Sequence, residues 1–286
     1  MSVEPQTPRN TYVIDSESAA EVARLSRQDR VITNVMGGLF PERADVSSIH
    51  DVLDLACGPG GWATAVALAF PTMQVTGVDV SPLMVAYAQA NAAEKSVANV
   101  HFQEMDILQP LDFPDNSFDL VNARLIFSFM PPAAWPKLLS ECMRVTRSGG
   151  TLRLTDCENT LTNSSACEQL GRLIATALKK VGQSFSPDGY HFGLLPMLGS
   201  LLRTAGCKNI KRTAHCCDFS AGMEDHVEAF QDWMVVYRLT QPFLLRTGVA
   251  TQQELERLYQ KAMEEMQTSS FCGLIFYLTV WGEVAK

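Results

Sequence analysis

The sequence predicts an α/β fold, with parallel strands in one sheet and helices on both of its faces. Three observations carry that prediction. From residue 51 onward, short apolar runs alternate with helical segments, the order that successive strand–helix–strand units produce. The run Val52-Leu53-Asp54-Leu55-Ala56-Cys57 passes into the turn Gly58-Pro59-Gly60-Gly61, and a helical stretch starts at Trp62. With 286 residues, 47% of them apolar and 19% charged, the chain can bury a large core.

Taken in order, the first strand covers 51–56 and a helix follows at 61–69. A strand at 73–79 leads to a helix at 82–94, which Ser81-Pro82 opens with a cap and a first-turn proline. Strands at 99–105 and 118–127 and a helix at about 132–146 come next. Gly149-Gly150 breaks the chain before the strand Thr151 to Cys157. Helices at about 164–182 and 193–205, the second stopped by Gly206, precede a strand at 208–219, and a last strand covers 271–283. Between those two strands, 221–270 reads as two helices, Glu224 to Arg246 and Thr251 to Gln267. That is too long for a hairpin connection and suits a cap over a site or a packing and dimerisation element equally. Before the core, Ser18 and Glu21 suggest a capping box. Val22, Leu25, Ile32, Val35 and Met36 form the apolar stripe of the helix it would open. Met1 to Asn10 is polar, contains Pro5 and Pro8, and is expected to lie outside the core.

The formal charge of −8 argues against a nucleic-acid partner, which needs a basic surface, and favours a small molecule. No segment approaches the roughly 18 apolar residues that span a bilayer. The N-terminus shows no basic-then-apolar leader, so a cytoplasmic location is expected. Eight cysteines without a Cys-x-x-Cys pair, most inside apolar elements, fit a reducing compartment. His215-Cys216-Cys217 is the one metal-like cluster. Neighbours on a strand face opposite ways and no second ligand pair stands at zinc spacing, so no metal is predicted.

A glycine turn between strand and helix brings backbone close to a ligand and aims helix N–H groups at it, as nucleotide sites do. Two readings fit. Gly58-Pro59-Gly60-Gly61-Trp62-Ala63 matches the dinucleotide pattern G-x-G-x-x-G/A, with Asp79 ending a second strand about 20 residues on. The same residues fit D-x-G-x-G-x-G with Ala56 at its first glycine. The downstream run Leu111-Asp112-Phe113-Pro114-Asp115-Asn116-Ser117-Phe118-Asp119-Leu120-Val121 decides between them. With the glycine turn and the acidic second strand, it resembles class I S-adenosylmethionine (SAM)-dependent methyltransferases, in their UbiE-like and related small-molecule branch. The resemblance is specific over about 50–157 and continues beyond as order of elements. It implies a Rossmann-like, doubly wound seven-stranded sheet whose last strand is antiparallel, with a helical N-terminal lid. Four parts follow: an arm and lid helix over 1–45, a SAM-binding core over 46–220, a helical cap over 221–270 inserted between the last two strands, and a final core strand over 271–286.

The resemblance also implies roles. Asp79 would take both ribose hydroxyls, with Val80 and Met84 beside the adenine, Asp106 accepting from its amine and Ile107 at the ring edge. Asp54 would reach the methionine amine, Ala56 and Gly58 would offer backbone to the methionyl part, and Ala123 and Arg124 would lie near it. Tyr12, Arg24 and Arg27 are candidates for the cofactor carboxylate. Arg124 has a second reading as a substrate or internal ion-pair residue. Methyl transfer needs mainly alignment, and an oxygen acceptor also wants a base. His191, in a loop after the fifth strand's helix, is the candidate. Phe127, Phe129, Met130, Phe192, Met197, Met223, Trp233, Met234 and Tyr237 are expected around an aromatic or lipophilic acceptor. The absence of [DNS]-P-P-[YFW] where Ala123-Arg124-Leu125-Ile126 stands speaks against amino methylation of a base or amide. The expected activity is methyl transfer to a small molecule, oxygen first, by a monomer or homodimer. An NAD-dependent oxidoreductase and a SAM-binding protein without transfer stand as alternatives.

Overall fold

The computed structural model describes residues 11–285; the expectation for Met1–Asn10 lies outside them. Strands β1 (Asp51–Leu55), β2 (Gln74–Asp79), β3 (Val100–Glu104), β4 (Phe118–Arg124) and β5 (Thr146–Cys157) run parallel in the order β3-β2-β1-β4-β5. The chain then places its last strand, β8 (Gly273–Glu283), antiparallel between β5 and β7 (Lys208–Asp218). The sheet therefore has the expected strands in a doubly wound, Rossmann-like arrangement, with one addition. A two-residue strand, β6 (Leu161–Thr162), pairs with the start of β8 and makes the count eight rather than seven.

Helices fall on both faces because β1 is apolar at alternate positions on each side. Val52 packs with α2 (Gly61–Ala69) and α3 (Pro82–Glu94) through Trp62, Val66 and Val85. Leu53 and Leu55 face the other way, toward α4 (Trp135–Val145) and α6 (Leu195–Ala205). Beyond β5, a third apolar cluster joins α5 (Ser165–Lys180), the start of β8, and the helices between β7 and β8: α7 (His226–Leu239), α8 (Gln241–Thr247) and α9 (Gln252–Met266). The N-terminal helix α1 (Ala19–Val35) contributes Ile32 to that cluster.

Five details differ from the sequence expectation, each for a local reason. Ser18 precedes α1 but its side chain makes no capping bond, and the reciprocal arm of a capping box is absent because the Glu21 carboxylate is drawn into a buried ion pair with Arg24. The strand expected over 118–127 stops at Arg124, where Leu125 turns into the left-handed region (φ 56°) and Asp156 Oδ2 accepts from the next two N–H groups. Gly149-Gly150 does not precede β5 but lies inside it, in a bulge between the Phe118–Thr146 and Leu120–Thr151 pairs. The helix expected to run from 224 to 246 is two helices, broken where Pro242 enters the first turn of α8. The helix expected from about 132 is a 3-10 turn over Pro132–Ala134 before α4. Ser81 caps α3 as expected, its Oγ accepting from Met84 N at 3.2 Å.

Gly60 shows why the turn needs glycine. Its φ is +72°, and a Cβ there would lie 2.6 Å from the Phe102 ring. Gly149 has a similar φ, +80°, but nothing within 4 Å. Gly60→Ala is therefore expected to cost about 2–4 kcal/mol in urea unfolding, strain plus overpacking, against about 1 kcal/mol for Gly149→Ala. Equal losses would show that the turn relaxes around the added methyl.

Candidate functional site

The strand order reverses between β1 and β4, and a cavity opens there beyond the carboxyl ends of β1, β2 and β4. It holds about 1090 Å³ counted out to solvent. Its wall brings together Asp54, Ala56, Gly58, Asp79, Val80, Met84, Asp106, Ile107, Arg124 and Tyr12. Ala123 is not among them: its side chain is buried in the core with Val121. The turn is held in an unusual backbone shape, with Ala56 and Gly58 at φ 51° and 54°. Ala56 pays for a conformation that glycine adopts freely, at the position where the matching pattern has glycine.

Asp79 ends β2 and ties the turn to the sheet. Its Oδ2 accepts from Gly58 N (2.8 Å) and its Oδ1 from Ser81 N (3.0 Å). A carboxylate has about four acceptor positions, so these backbone donors do not exhaust it, and Asp79 stands in the cavity wall. Burial raises its pKa, against the backbone donors that lower it. Asp106 likewise fixes its own turn, accepting from Leu108 N at 2.9 Å.

Asp54 sits at the end of a chain of buried hydrogen bonds. Glu42 Oε1 accepts from Arg153 Nε, Arg153 NH1 donates to Asn122 Oδ1, and Asn122 Nδ2 donates to Asp54 Oδ1, each at 2.7 Å. Arginine can only donate, so it fixes the amide of Asn122 with its oxygen toward Arg153 and its NH₂ toward Asp54. The second oxygen of Asp54 is left for the cavity. Burial pushes the Asp54 carboxyl from 3.8 up to about 7, although Asn122 and Arg153 pull it down. Neither Glu42 nor Arg153 was among the sequence candidates. They lie 111 residues apart and no local pattern couples them.

Two predicted cation sites are already engaged. Arg124 pairs with Asp29, donates to Thr33 Oγ1 at 3.2 Å, and stands over the Trp62 ring at 5.7 Å. It thereby ties β4 to α1, which is its internal ion-pair reading. Arg24 is buried between Glu21, at 2.7 Å, and Asp232 of α7, at 3.1 Å. Tyr12 donates to Glu21 Oε1 at 2.7 Å. The segment around Thr11, Tyr12 and Ser16 closes one side of the cavity, and Ser81 Oγ donates to Glu17 at 2.5 Å.

A second cavity adjoins the first. Tyr12, Leu25, Gln28 and Leu125 belong to both walls. Phe127, Phe192 and Trp233 line it, and Phe129 lines the first cavity. Phe127 and Phe192 stack with ring centroids 4.3 Å apart. Met130 and Tyr237 are instead buried packing residues, Met223 and Met234 are exposed, and Met197 faces neither cavity. Arg27 lines the second cavity, not the first. His191 is a correction: it is exposed and in neither wall. The loop is turned by Glu158, which accepts from Phe192 N (2.6 Å) and Gly193 N (3.0 Å), so Phe192 points inward and the histidine outward.

Residues 52–150 match a family model described as a methyltransferase domain. A probable methyltransferase, ltbC, of Aspergillus luteorubrus is 34% identical over 111 residues, 37% of this chain and 39% of that protein. Methyltransferase str3 of Strobilurus tenacellus is 29% identical over 139 residues, 49% of this chain and 46% of that one. The matches thus span less than half the length of these relatives. Among solved structures, YcgJ of Bacillus subtilis superposes with a TM-score of 0.55 at 18% identity, over 88% of this chain and 99% of its own. Geranyl diphosphate C-methyltransferase of Streptomyces coelicolor A3(2), solved with Mg2+, geranyl diphosphate and S-adenosylhomocysteine, gives 0.52 at 12% identity, over 98% and 89%.

Two outcomes test the buried chain. Arg153→Met strands Glu42 and is expected to cost about 3–5 kcal/mol, whereas adding Glu42→Gln recovers most of it. No recovery in a denaturant series would mean that Arg153 stabilises by packing alone. In the ligand-free protein, the folded chain holds a proton on Asp54 that the unfolded chain has lost between about pH 4 and 7, so stability falls through that window as pH rises. Asp54→Asn lacks this fall and should gain about 2–4 kcal/mol on wild type from pH 4 to pH 8. Parallel stability–pH curves would contradict the elevated carboxyl.

Proposed function

We propose that this chain, whose residues 52–150 form a class I SAM-dependent methyltransferase domain, moves the methyl group of SAM to a small molecule held in the second cavity. The observation that carries the reading is the convergence of Asp54, Asp79 and Asp106 on one cavity at the reversal of strand order. A ligand with an ammonium group, a ribose diol and an exocyclic amine offers donors to all three, and the three sit at the ends of different elements. Asp54 presents its unbonded oxygen to the ammonium, Asp79 its remaining acceptor positions to the diol, and Asp106 its carboxylate to the amine. Val80 and Met84 supply the apolar wall between them.

SAM, when bound, supplies an electrophilic methyl on a sulfonium. The chain's own contribution is alignment and exclusion of water, which for an in-line displacement is worth several orders of magnitude. The strained Leu125 (φ 56°) and Tyr12 stand where the two cavities meet. The 11–18 segment and α1 act as lid, and α7–α9 as cap. Oxygen is the favoured acceptor atom, supported by the apolar second wall and by Ala123-Arg124-Leu125-Ile126 in place of an amino-methylation motif. The relatives named as methyltransferases agree in class.

Calorimetric titration with S-adenosylhomocysteine, beside NAD, tests the cofactor. Binding in the micromolar range is expected for the wild type and a loss of 30-fold or more, about 2 kcal/mol, for Asp79→Ala. Heat with NAD and none with S-adenosylhomocysteine would overturn the reading in favour of a dehydrogenase.

A further inference from the structure

The second cavity carries more chemical information than its apolar wall. Its polar groups fall into those already satisfied and those left open. Arg24 spends Nε and NH2 on Glu21 and NH1 on Asp232 Oδ1. Glu158 spends its oxygens on the N–H groups of Phe192, Gly193 and Asn159. Thr240 Oγ1 donates back to Val236 O at 2.8 Å within its own helix. Asp232 Oδ2 and the Tyr277 hydroxyl are among the open groups: neither makes a hydrogen bond among the described residues, and both residues are in the cavity wall, as are Gln28, Ser128 and Trp233, whose side chains also make none. Tyr277 is 7% exposed and the Asp232 side chain 17%, and both line the cavity. An open carboxylate oxygen beside an apolar wall calls for a hydrogen-bond donor, since leaving it bare there costs the desolvation of a charge.

The charges around this point are unfavourable to an anion. Arg24 lies between two carboxylates, Glu21 and Asp232, so the trio carries a net negative charge. Glu158 adds another, and the exposed Glu228 is paired with Arg30 at 3.4 Å. Arg27 is the one wall cation with no ion pair among the described residues; burial raises the Asp232 pKa, with Arg24 and Arg27 pulling against it. One guanidinium cannot neutralise a phosphorylated ligand, let alone offset its repulsion by Asp232 and Glu158.

We propose that the acceptor of this enzyme is a neutral, apolar molecule bearing a hydroxyl donor, that Asp232 Oδ2 with the Tyr277 hydroxyl beside it binds that group, and that phosphorylated acceptors are selected against. The proposal rests on the second cavity being the acceptor side. It separates this chain from its structural neighbour solved with geranyl diphosphate and Mg2+, although the overall folds superpose. The selectivity comes from an open carboxylate oxygen and the sign of the charge around it.

The test uses three ligands with one tail, titrated calorimetrically into the full chain with and without saturating S-adenosylhomocysteine: geraniol, geranyl methyl ether, which lacks the donor, and geranyl diphosphate. Geraniol is expected to bind at least 10-fold more tightly than either of the others. In Asp232→Leu, which leaves Arg24 paired with Glu21, the gap between alcohol and ether should close to about twofold, and the diphosphate should gain several-fold. Tyr277→Phe should weaken geraniol about threefold and leave the ether unchanged. An ether that binds as well as the alcohol, a diphosphate that binds best, or no binding by any of the three overturns the proposal. The wild-type ranking stands even if a variant does not fold. Failure of S-adenosylhomocysteine to bind strikes at the cofactor reading alone, because the ranking is also measured in its absence.

Discussion

Arg153 is the charge on which the sheet's inner face is organised. It stands on β5 with its side chain about 1% exposed, so protein alone can answer it, and it does so at Nε and NH1 while NH2 and Glu42 Oε2 make no hydrogen bond among the described residues. Glu42 answers the charge, Asn122 answers the geometry, and the Trp62 ring lies 5.9 Å from the guanidinium carbon. Because each partner holds another in turn, this one buried cation sets the amide of Asn122, the free oxygen of Asp54 and the seat of the helix that follows the glycine turn. Replacing a member with an apolar residue is not a local matter, since the hydrogen bonds run in one direction from an obligate donor to the cavity wall.

The cavity's carboxylates show how burial and function are reconciled. Asp54 and Asp156 stand in the same protein interior, with pKa values pushed up to about 7 and about 8. Their tasks differ. Asp156 spends its oxygens on the N–H groups of Ile126, Phe127 and Cys157 and so shapes the loop after β4. Asp54 keeps one oxygen open. Glu158 and Asp232 in the second cavity differ in the same way: Glu158 accepts from three backbone N–H groups, whereas Asp232 is bonded through Oδ1 alone.

How much of this the sequence discloses depends on the distance between partners. The glycine turn, Asp79 after β2 and Ser81 before α3 are contiguous signals, and each stands where the residues imply. The third strand's Asp106 is likewise legible from what surrounds it. The second cavity is another matter. Arg24 and Asp232 are 208 residues apart, and the pairing of α1 with α7 leaves no trace in either helix alone. His191 looked suitable because a histidine in a loop near the open end of a sheet can serve as a base. Which way the loop faces is decided by Glu158, more than thirty residues earlier. The misread cap at Ser18 has the same origin, for Glu21 has two uses at one spacing, and the buried Arg24 claims it. Pro242, by contrast, was a visible helix break, and the split of α7 from α8 needed no tertiary information.

Helix α1 is a roof shared by two rooms. Leu25 and Gln28 border both cavities, Asp29 fastens the helix to Arg124 of β4, and Arg24 fastens it to α7. A swing of this helix wide enough to uncover one room uncovers the other. The ties that hold it to both sides are buried ion pairs, so their hold is little weakened by salt.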